Sequence, residues 1–317
     1  VILFCKMPFM VNVVGLGNCF KLTFLGSDIL MADNFDLSCP YLPGYTSSLM
    51  KGLFSFFVLL YWTTAVFAWV RVDISDTEMS LGEPIRVEVA SDSPIRSSKL
   101  TLGGRSFILF KDPRTTRKFR YVTFVALSRH SSAKSVKLYT KLRFRSGEVY
   151  SKSYTLSVNY PKKPKKGKVT LSKRKNKLSS SQKHLKKEGA LITKRFALKT
   201  PESYILGRFI LPVSGKKTSG FAALRRYNGT YKRSHAGVDY ANRTGTKVVA
   251  PNAGEVVLSE RLDVHGHTVM IDHGLGIVTI YNHLNSRDVS VGDRVAKGQL
   301  LGRLGETGVA TGPHLHW

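Results

Sequence analysis

Two short motifs in the last third of the 317-residue chain carry residue types suited to metal chemistry. His235 and Asp239 lie four residues apart, and His314 and His316 lie two apart. Alternate residues of a β-strand project from the same face, so His314 and His316 can reach one cavity. Two imidazoles and a carboxylate supply three ligands of a tetrahedral zinc ion and leave one position open for water, which is typical of a catalytic site. These spacings therefore predict zinc-assisted hydrolysis, in which the metal activates water and polarises a carbonyl group.

The rest of the sequence offers no competing chemistry. The three cysteines, Cys5, Cys19 and Cys39, all precede residue 50, so the main body of the chain has neither a disulfide framework nor a thiolate zinc cage. No H-E-x-x-H, G-x-S-x-G or P-loop motif occurs. His265 and His267 also lie two apart, but no acidic residue is spaced to help them bind a metal, and we expect them to be structural.

Positive charge is concentrated in one segment of the chain. Lys and Arg total 49 against 21 Asp and Glu, a net charge of +28, and residues 161–200 contain 15 basic side chains and one acidic one. Like charge at this density argues against a packed core and predicts a basic linker at 161–200, with a short helix near 182–188. In an exported protein the linker would bind anionic envelope polymers or a lipid surface. Nucleic acid is not expected as a partner, because the segment has few aromatic residues to stack on bases.

The segment before the linker has the pattern of a β-rich module. Apolar and polar residues alternate in 85–89, 137–144 and 154–158, and glycine or proline turn signals fall between such runs. About seven short strands are expected between residues 69 and 160, which predicts an immunoglobulin-like β-sandwich.

Residues 50–68 have the pattern of an export signal. A short basic start at Met50, an apolar run over 53–67 and a small residue at Ala68 are typical of a secretory signal peptide. The alternative is an uncleaved membrane anchor over 53–70, which is near the short limit for a span. Either one predicts a location in the periplasm or cell envelope. Because this signal starts internally, we predict that residues 1–49 are a non-native or disordered extension.

Six ordered blocks make residues 205–317 resemble the catalytic domain of lysostaphin-type zinc endopeptidases, also called LytM-like or glycyl-glycine endopeptidases. The blocks are His235-Ala-Gly-Val-Asp239, 245–254, 267–276, 279–284, 291–299 and 305–316. The resemblance implies that His235, Asp239 and His316 bind one zinc ion. It implies that His283 and His314 are catalytic, positioning or deprotonating the attacking water and stabilising the transition state.

The resemblance also implies a fold and a substrate. The prediction is a mainly β protein, with an antiparallel β catalytic domain of the duplicated hybrid motif type at 201–317 that hydrolyses peptide bonds in peptidoglycan stem peptides or cross-bridges. Because the chain stops at Trp317, we expect this domain to be incomplete at its C-terminus and to hold zinc weakly. One alternative is a non-catalytic envelope-binding or hydrolase-activating protein. Another is a charge-driven binder of nucleic acid or membrane surfaces. The sequence makes no prediction of oligomeric state.

Overall fold

The computed structural model of the protein describes strands at 10–16, 19–25 and 35–36, and then residues 68–160, 167–229 and 231–317. The chain divides into two compact units, Val1–Val66 and Phe67–Trp317. In the first unit, β1 (Met10–Leu16), β2 (Cys19–Leu25) and β3 (Phe35–Asp36) form an antiparallel sheet in that order. The predicted export signal at 50–68 lies outside the described residues except for Ala68, and the prediction for 1–49 stays a prediction.

Residues 68–160 form two facing sets of strands around an apolar core. The strands are β4 (Val70–Ile74), β5 (Glu78–Ser80), β6 (Ile85–Ser91), β7 (Ile95–Leu102), β8 (Arg105–Phe107), β9 (Phe110–Lys111), β10 (Arg120–Val125), β11 (Ser135–Phe144) and β12 (Val149–Asn159). One sheet has the order β4-β6-β10-β9 and the other β5-β12-β11-β7-β8. Along β11, Leu138 and Leu142 are buried while Lys141 and Arg143 are exposed, as period-two alternation requires. The immunoglobulin-like assignment of this module stays a prediction.

The segment predicted as a linker contains regular structure from residue 167 onward. It comprises β13 (Gly167–Val169), α1 (Lys173–Ser180) and α2 (Gln182–Phe196). Leu191 and Ile192 of α2 pack against a buried cluster of Leu258, Leu262 and Met270. The positive charge does not prevent this packing, because the helix is amphipathic and keeps most of its lysines at the solvent-exposed face. Neither helix in the described ranges is long and apolar enough to cross a bilayer.

The C-terminal part is built almost entirely from strands. They are β14 (Lys216–Ser219), β15 (Leu224–Tyr227), β16 (Tyr231–Ser234), β17 (Asp239–Ala241), β18 (Lys247–Val249), β19 (Gly254–Leu262), β20 (Gly266–Asp272), β21 (Val278–Arg287), β22 (Arg294–Val295), β23 (Leu300–Leu304) and β24 (His314–His316). The main sheet runs β14-β17-β24-β21-β20-β19-β22, with β23 paired to both β18 and β21. A smaller sheet has the order β13-β15-β16. The prediction of a mainly β protein is confirmed.

The short strand β24 lies in the interior of the main sheet, between β17 and β21. It pairs with β17 on one side, with Asp239 opposite His316, and with β21 on the other, where Asn282 is opposite His316. Leu315 points away from the histidines into the main core and is fully buried there. The period-two alternation of β24 therefore turns its two histidines toward the opposite, open face of the sheet.

The N-terminal module packs directly on this C-terminal sheet system. Phe110 and Val122 of the module form one buried cluster with Leu275 of the turn between β20 and β21. At a second contact, Gly82 of the module lies against the ring of Phe221, and an added Cβ at Gly82 would come within 2.6 Å of that ring. Both contacts lie within the second compact unit of the chain.

Candidate metal centre

Three side chains converge at the junction of β17 and β24. His235 Nε2 lies 2.9 Å from His316 Nδ1, and each of these nitrogens lies 3.0 Å from Asp239 Oδ1. All three side chains are largely buried, with His235 5% and Asp239 5% exposed. The result is a compact triangle of two imidazole nitrogens and one carboxylate oxygen.

This triangle fits a zinc ion in both chemistry and size. Ligand atoms about 2.0–2.1 Å from a tetrahedral zinc lie about 3.3–3.4 Å from one another, so the observed triangle needs to open by only a few tenths of an ångström. Burial raises the pKa of the Asp239 carboxyl, but hydrogen bonds with His235 and His316 outweigh burial and hold that pKa well below its usual range. The carboxylate is therefore ionised, as a metal ligand must be.

Gly237 makes the close approach of the two motifs possible. It lies between His235 and Asp239, and an added Cβ there would come within 2.3 Å of the Trp317 carbonyl oxygen and 3.0 Å of His316 Nε2. The backbone of Val238 pairs with Trp317 in both directions, through N–H to O=C bonds of 2.7 and 2.9 Å. These contacts press the H-x-G-x-D loop against β24 and bring the ligand atoms together.

Hydrogen bonds to backbone carbonyls fix which ring nitrogen each histidine presents. His235 Nδ1–H donates to the Gly220 carbonyl at 2.9 Å, and His314 Nδ1–H donates to the Gly312 carbonyl at 2.8 Å. A carbonyl can only accept, so in both rings Nδ1 carries a proton, and Nε2 is the nitrogen that a neutral ring presents as an acceptor. Such backbone partners are the usual means of orienting metal-binding and catalytic imidazoles.

His283 and His314 form a pair beside the triangle. Their ring centroids lie 4.9 Å apart, and the His283 ring lies 6.2 Å from that of His316. His283 Nδ1–H donates to the Thr307 carbonyl at 2.9 Å, so Nε2 is the acceptor nitrogen of the neutral ring. Burial, and then the nearby charges of His314 and His316, lower the pKa of His283 well below its ordinary value, which keeps the ring neutral.

The backbone at His283 is in a conformation that side-chain-bearing residues rarely adopt. Its φ is +64°, in the left-handed region. The register between β20 and β21 shifts at this point, because Tyr281 pairs with Val269 while Leu284 pairs with His267. An advance of three residues along β21 therefore corresponds to only two residues along β20. The extra residue in β21 forms a β-bulge. The bulge turns the imidazole of His283 toward β24, and strained positions of this kind persist where the surroundings hold them.

The remaining histidines of the described residues lie outside the triangle. His273 is fully buried and bonds to Ala253 and Thr279, which makes it structural, as predicted from its place in a turn. His184 and His130 lie in the α2 helix and the N-terminal module. His267 contacts Arg287. His265, however, does have an acidic partner, Glu188, whose Oε2 lies 2.6 Å from its Nδ1.

Two charged residues near the site carry no sequence signal of their own. Arg225 of β15 forms an ion pair with Asp239 Oδ2, the carboxylate oxygen turned away from the triangle. It precedes all six motif blocks, so only the pairing of β15 with β16 brings it near His235. Glu188 is 77 residues away from His265 and could have been suspected only as the sole acidic residue of 161–200.

All five predicted site residues line one open cavity of about 1340 Å³. Its wall also includes Lys168, Lys217 and Arg225, and the loop 80–83 of the N-terminal module. The cavity wall therefore places basic side chains beside the five predicted site residues.

Residues 233–317 match the sequence profile of peptidase family M23. The chain carries a peptidase M23 domain of the LytM/lysostaphin type. This confirms the resemblance noted from the six motif blocks, and the matched range contains all five predicted site residues.

The M23 domain is similar to two curated bacterial proteins. The peptidoglycan DD-endopeptidase ShyC of Vibrio cholerae is 42% identical over 85 residues, which are 27% of this chain and 20% of the relative. The DD-carboxypeptidase/endopeptidase Mpg of Neisseria meningitidis is 41% identical over 85 residues, again 27% of this chain and 20% of the relative. The match therefore spans about a fifth of the length of these relatives.

A solved structure extends the likeness beyond the M23 domain. The crystal structure of a Pseudomonas aeruginosa protein assigned to peptidase M23 has a TM-score of 0.52 and 24% identity, and the match covers 78% of this chain and 86% of that chain. At this identity the likeness shows a shared fold, and it includes residues on the N-terminal side of the M23 domain.

Proposed function

We propose that the protein is an exported zinc metallo-endopeptidase that hydrolyses peptide bonds in the stem peptides or cross-bridges of peptidoglycan. The observation that carries the proposal is the triangle of His235 Nε2, Asp239 Oδ1 and His316 Nδ1, with sides of 2.9 to 3.0 Å, beside two further oriented imidazoles. The relatives named as peptidoglycan peptidases supply the substrate class. The signal pattern at 50–68 supports export to the periplasm or envelope.

In this proposal His235, Asp239 and His316 hold the zinc ion. The chemistry that zinc supplies in such a site is polarisation of a carbonyl and activation of a water molecule. Asp239 offers one oxygen to the metal, while Arg225 binds the other and keeps the carboxylate in a single orientation.

His283 and His314 handle protons in the proposed reaction. In each ring Nδ1–H is bound to a backbone carbonyl, so Nε2 is the nitrogen left to exchange a proton with the substrate. Either ring can accept the proton of the attacking water and return it to the leaving amine. The imidazolium formed in between stabilises the negative charge that develops on the carbonyl oxygen. The low pKa of His283 favours the neutral starting form.

The substrate would lie along the open face of β24 in the cavity. The basic wall and the lysine-rich segment 161–200 would hold the enzyme on anionic envelope polymers or on a lipid surface. The same charge is the one observation that favours the alternative, a non-catalytic envelope-binding or hydrolase-activating protein, because charge alone suffices for binding.

Digestion of isolated sacculi tests the proposal. We expect the purified protein to release soluble muropeptides, to lose this activity in chelator and to recover it with Zn²⁺. Asp239→Asn should lower the rate by at least about 100-fold, since a neutral amide is a poor zinc ligand, while Asp288→Asn, at an exposed carboxylate of the same domain, should leave it unchanged. Full activity in chelator would contradict the mechanism. Tight binding of sacculi with neither zinc nor cleavage would favour the non-catalytic alternative.

A further inference from the structure

A buried carboxylate from outside the M23 domain reaches the loop next to the site. Glu188 of α2 is 3% exposed. Its Oε1 accepts the Val264 N–H at 2.9 Å, and its Oε2 accepts both the N–H and the Nδ1–H of His265, at 3.2 and 2.6 Å. A buried carboxylate is tolerated only with partners of this kind. Here all three donors belong to one segment of four residues, 263–266, which comprises the three-residue turn after β19 and the first residue of β20 and is called loop 263–266 below.

The same loop holds the backbone of His283. The His265 carbonyl accepts the His283 N–H at 2.9 Å, directly at the left-handed position of the β21 bulge. On the other side of the loop, the Val264 carbonyl accepts the Val309 N–H at 2.8 Å, next to Thr307, whose carbonyl accepts His283 Nδ1–H. The loop 263–266 therefore connects Glu188 to the backbone of His283 directly and, through Val309, to the segment that carries the Thr307 carbonyl.

We propose that Glu188 and His265 form a positioning pair that, through loop 263–266, holds His283 in the orientation needed for hydrolysis. Helix α2 then helps to arrange the active site, although it precedes residues 233–317, the range that matches the M23 family. The proposal rests on the proposed function, in which His283 transfers protons.

Packing alone does not account for a carboxylate at this place. Leu191 and Ile192 already attach α2 to the sheet through apolar contacts. A second ion pair between the same helix and the same loop, His184 Nε2 to Asp263 Oδ2 at 3.4 Å, lies at the surface. Replacing a buried ion pair with apolar groups is often neutral for stability, so a buried Glu188 is better explained by the position it enforces. Displacement of a catalytic group by about 1 Å can lower a rate about 100-fold.

Hydrogen exchange at the His283 amide tests the positioning without using catalysis. In full-length protein, Glu188→Ala should lower the protection of this amide by about tenfold or more, because its acceptor loop loses its anchor. Asp263→Ala is the matched control, since it removes the surface ion pair between the same two elements. It should leave the protection of the His283 amide within about twofold of the native value. Equal protection in Glu188→Ala and Asp263→Ala would overturn the proposal.

Kinetics with a double-mutant cycle test whether the effect passes through His283. In zinc-loaded protein, Glu188→Ala should lower kcat by about 10- to 100-fold with little change in KM or bound zinc. The kcat of Glu188→Gln should lie between those of the native protein and Glu188→Ala, because the glutamine amide oxygen can still accept one of the hydrogen bonds. In a His283→Ala background, Glu188→Ala should cause no further loss. An additional loss equal to that in the native background would assign Glu188 a merely structural role and overturn the proposal.

The two kinds of measurement separate the possible failures. If the native protein does not hydrolyse sacculi, the proposed function fails, and the exchange rate of the His283 amide still decides whether Glu188 positions it. If Glu188→Ala does not fold, Glu188→Gln carries both measurements. Unchanged kcat and unchanged exchange in Glu188→Gln would then contradict the proposal.

Discussion

At the scale of single residues, Gly237 shows how closely the H-x-G-x-D loop packs against the end of β24. A methyl group there would meet the Trp317 carbonyl oxygen at 2.3 Å and the ring of His316 at 3.0 Å. We expect Gly237→Ala to push β24 away from the H-x-G-x-D loop. The free energy of unfolding should fall by about 1–3 kcal/mol, as for other overpacked sites, and the affinity for zinc should fall with it.

Urea unfolding and zinc titration check this prediction against a matched glycine. A Cβ at Gly312, two residues before His314, would meet nothing within 4 Å. Gly312→Ala should therefore leave both stability and zinc affinity close to native. If Gly237→Ala behaves like Gly312→Ala, the close approach described here is wrong.

The lowered pKa of His283 predicts a pH dependence of stability in the metal-free protein. Because the folded-state pKa lies below the unfolded value of about 6.5, the unfolded chain binds a proton first as the pH falls. Stability is therefore fully present above about pH 6.5 and is lost progressively below it, until the folded-state pKa is reached. The slope is at most about 1.4 kcal/mol per pH unit for this group.

The contribution of His283 can be isolated with an asparagine variant. Asparagine tolerates the left-handed backbone that His283 adopts. Urea unfolding between about pH 7 and pH 5 should show a shallower loss of stability in His283→Asn than in the native protein. His130→Asn, at an exposed position of the N-terminal module, should leave the native slope unchanged. Equal slopes in all three proteins would contradict a lowered pKa of His283 in the folded protein.

At this scale the sequence could predict how residues close together in the chain are arranged, but not which distant residues contact them. The H-x-G-x-D and H-x-H spacings are local, so they indicated which side chains share a face before any fold was known. Arg225 and Glu188 act on partners 14 and 77 residues away and have no spacing rule to reveal them. His265 is an example. The prediction considered only acidic residues close to it in the sequence, whereas its partner, Glu188, lies on the separate helix α2.

At the scale of elements, α2 is the clearest departure from the sequence prediction. Charge density in 161–200 predicted a linker, but Leu191 and Ile192 give α2 an apolar face that packs on β19 and β20. Net charge was a poor guide here because basic side chains can lie on one face of a helix while the other face is buried. The predicted helix near 182–188 is present and extends to Phe196.

A charge placed on this apolar face should detach the helix. We expect the double variant Leu191→Asp, Ile192→Asp to expose the many lysines and arginines of α2 to trypsin, since a buried unpaired carboxylate is strongly unfavourable. Thr193→Asp adds the same charge at an exposed position of the same helix and is the control. Limited proteolysis with mass spectrometry measures cleavage within 182–196. Equally rapid cleavage in the native protein would mean that α2 is not docked in solution.

At the scale of the whole molecule, the sequence predicted a strand-rich protein but not the contacts that pack the N-terminal module against the C-terminal part. Alternating patterns predicted β6, β11 and β12 of the N-terminal module, and the six ordered blocks predicted a mainly β catalytic domain through the family resemblance. The contacts that join the two parts, Phe110 with Leu275 and Gly82 with Phe221, connect residues more than a hundred positions apart and follow no local pattern. These contacts place loop 80–83 on the wall of the cavity that is also lined by His235, Asp239 and His316.

The central claim is that His235, Asp239 and His316 bind one zinc ion. Crystals of the protein grown with zinc and measured at the zinc absorption edge test it most directly. We expect a single strong anomalous peak per chain, about 2.0–2.2 Å from His235 Nε2, Asp239 Oδ1 and His316 Nδ1. A zinc peak bound elsewhere on the chain, or no peak between these three atoms, would contradict it.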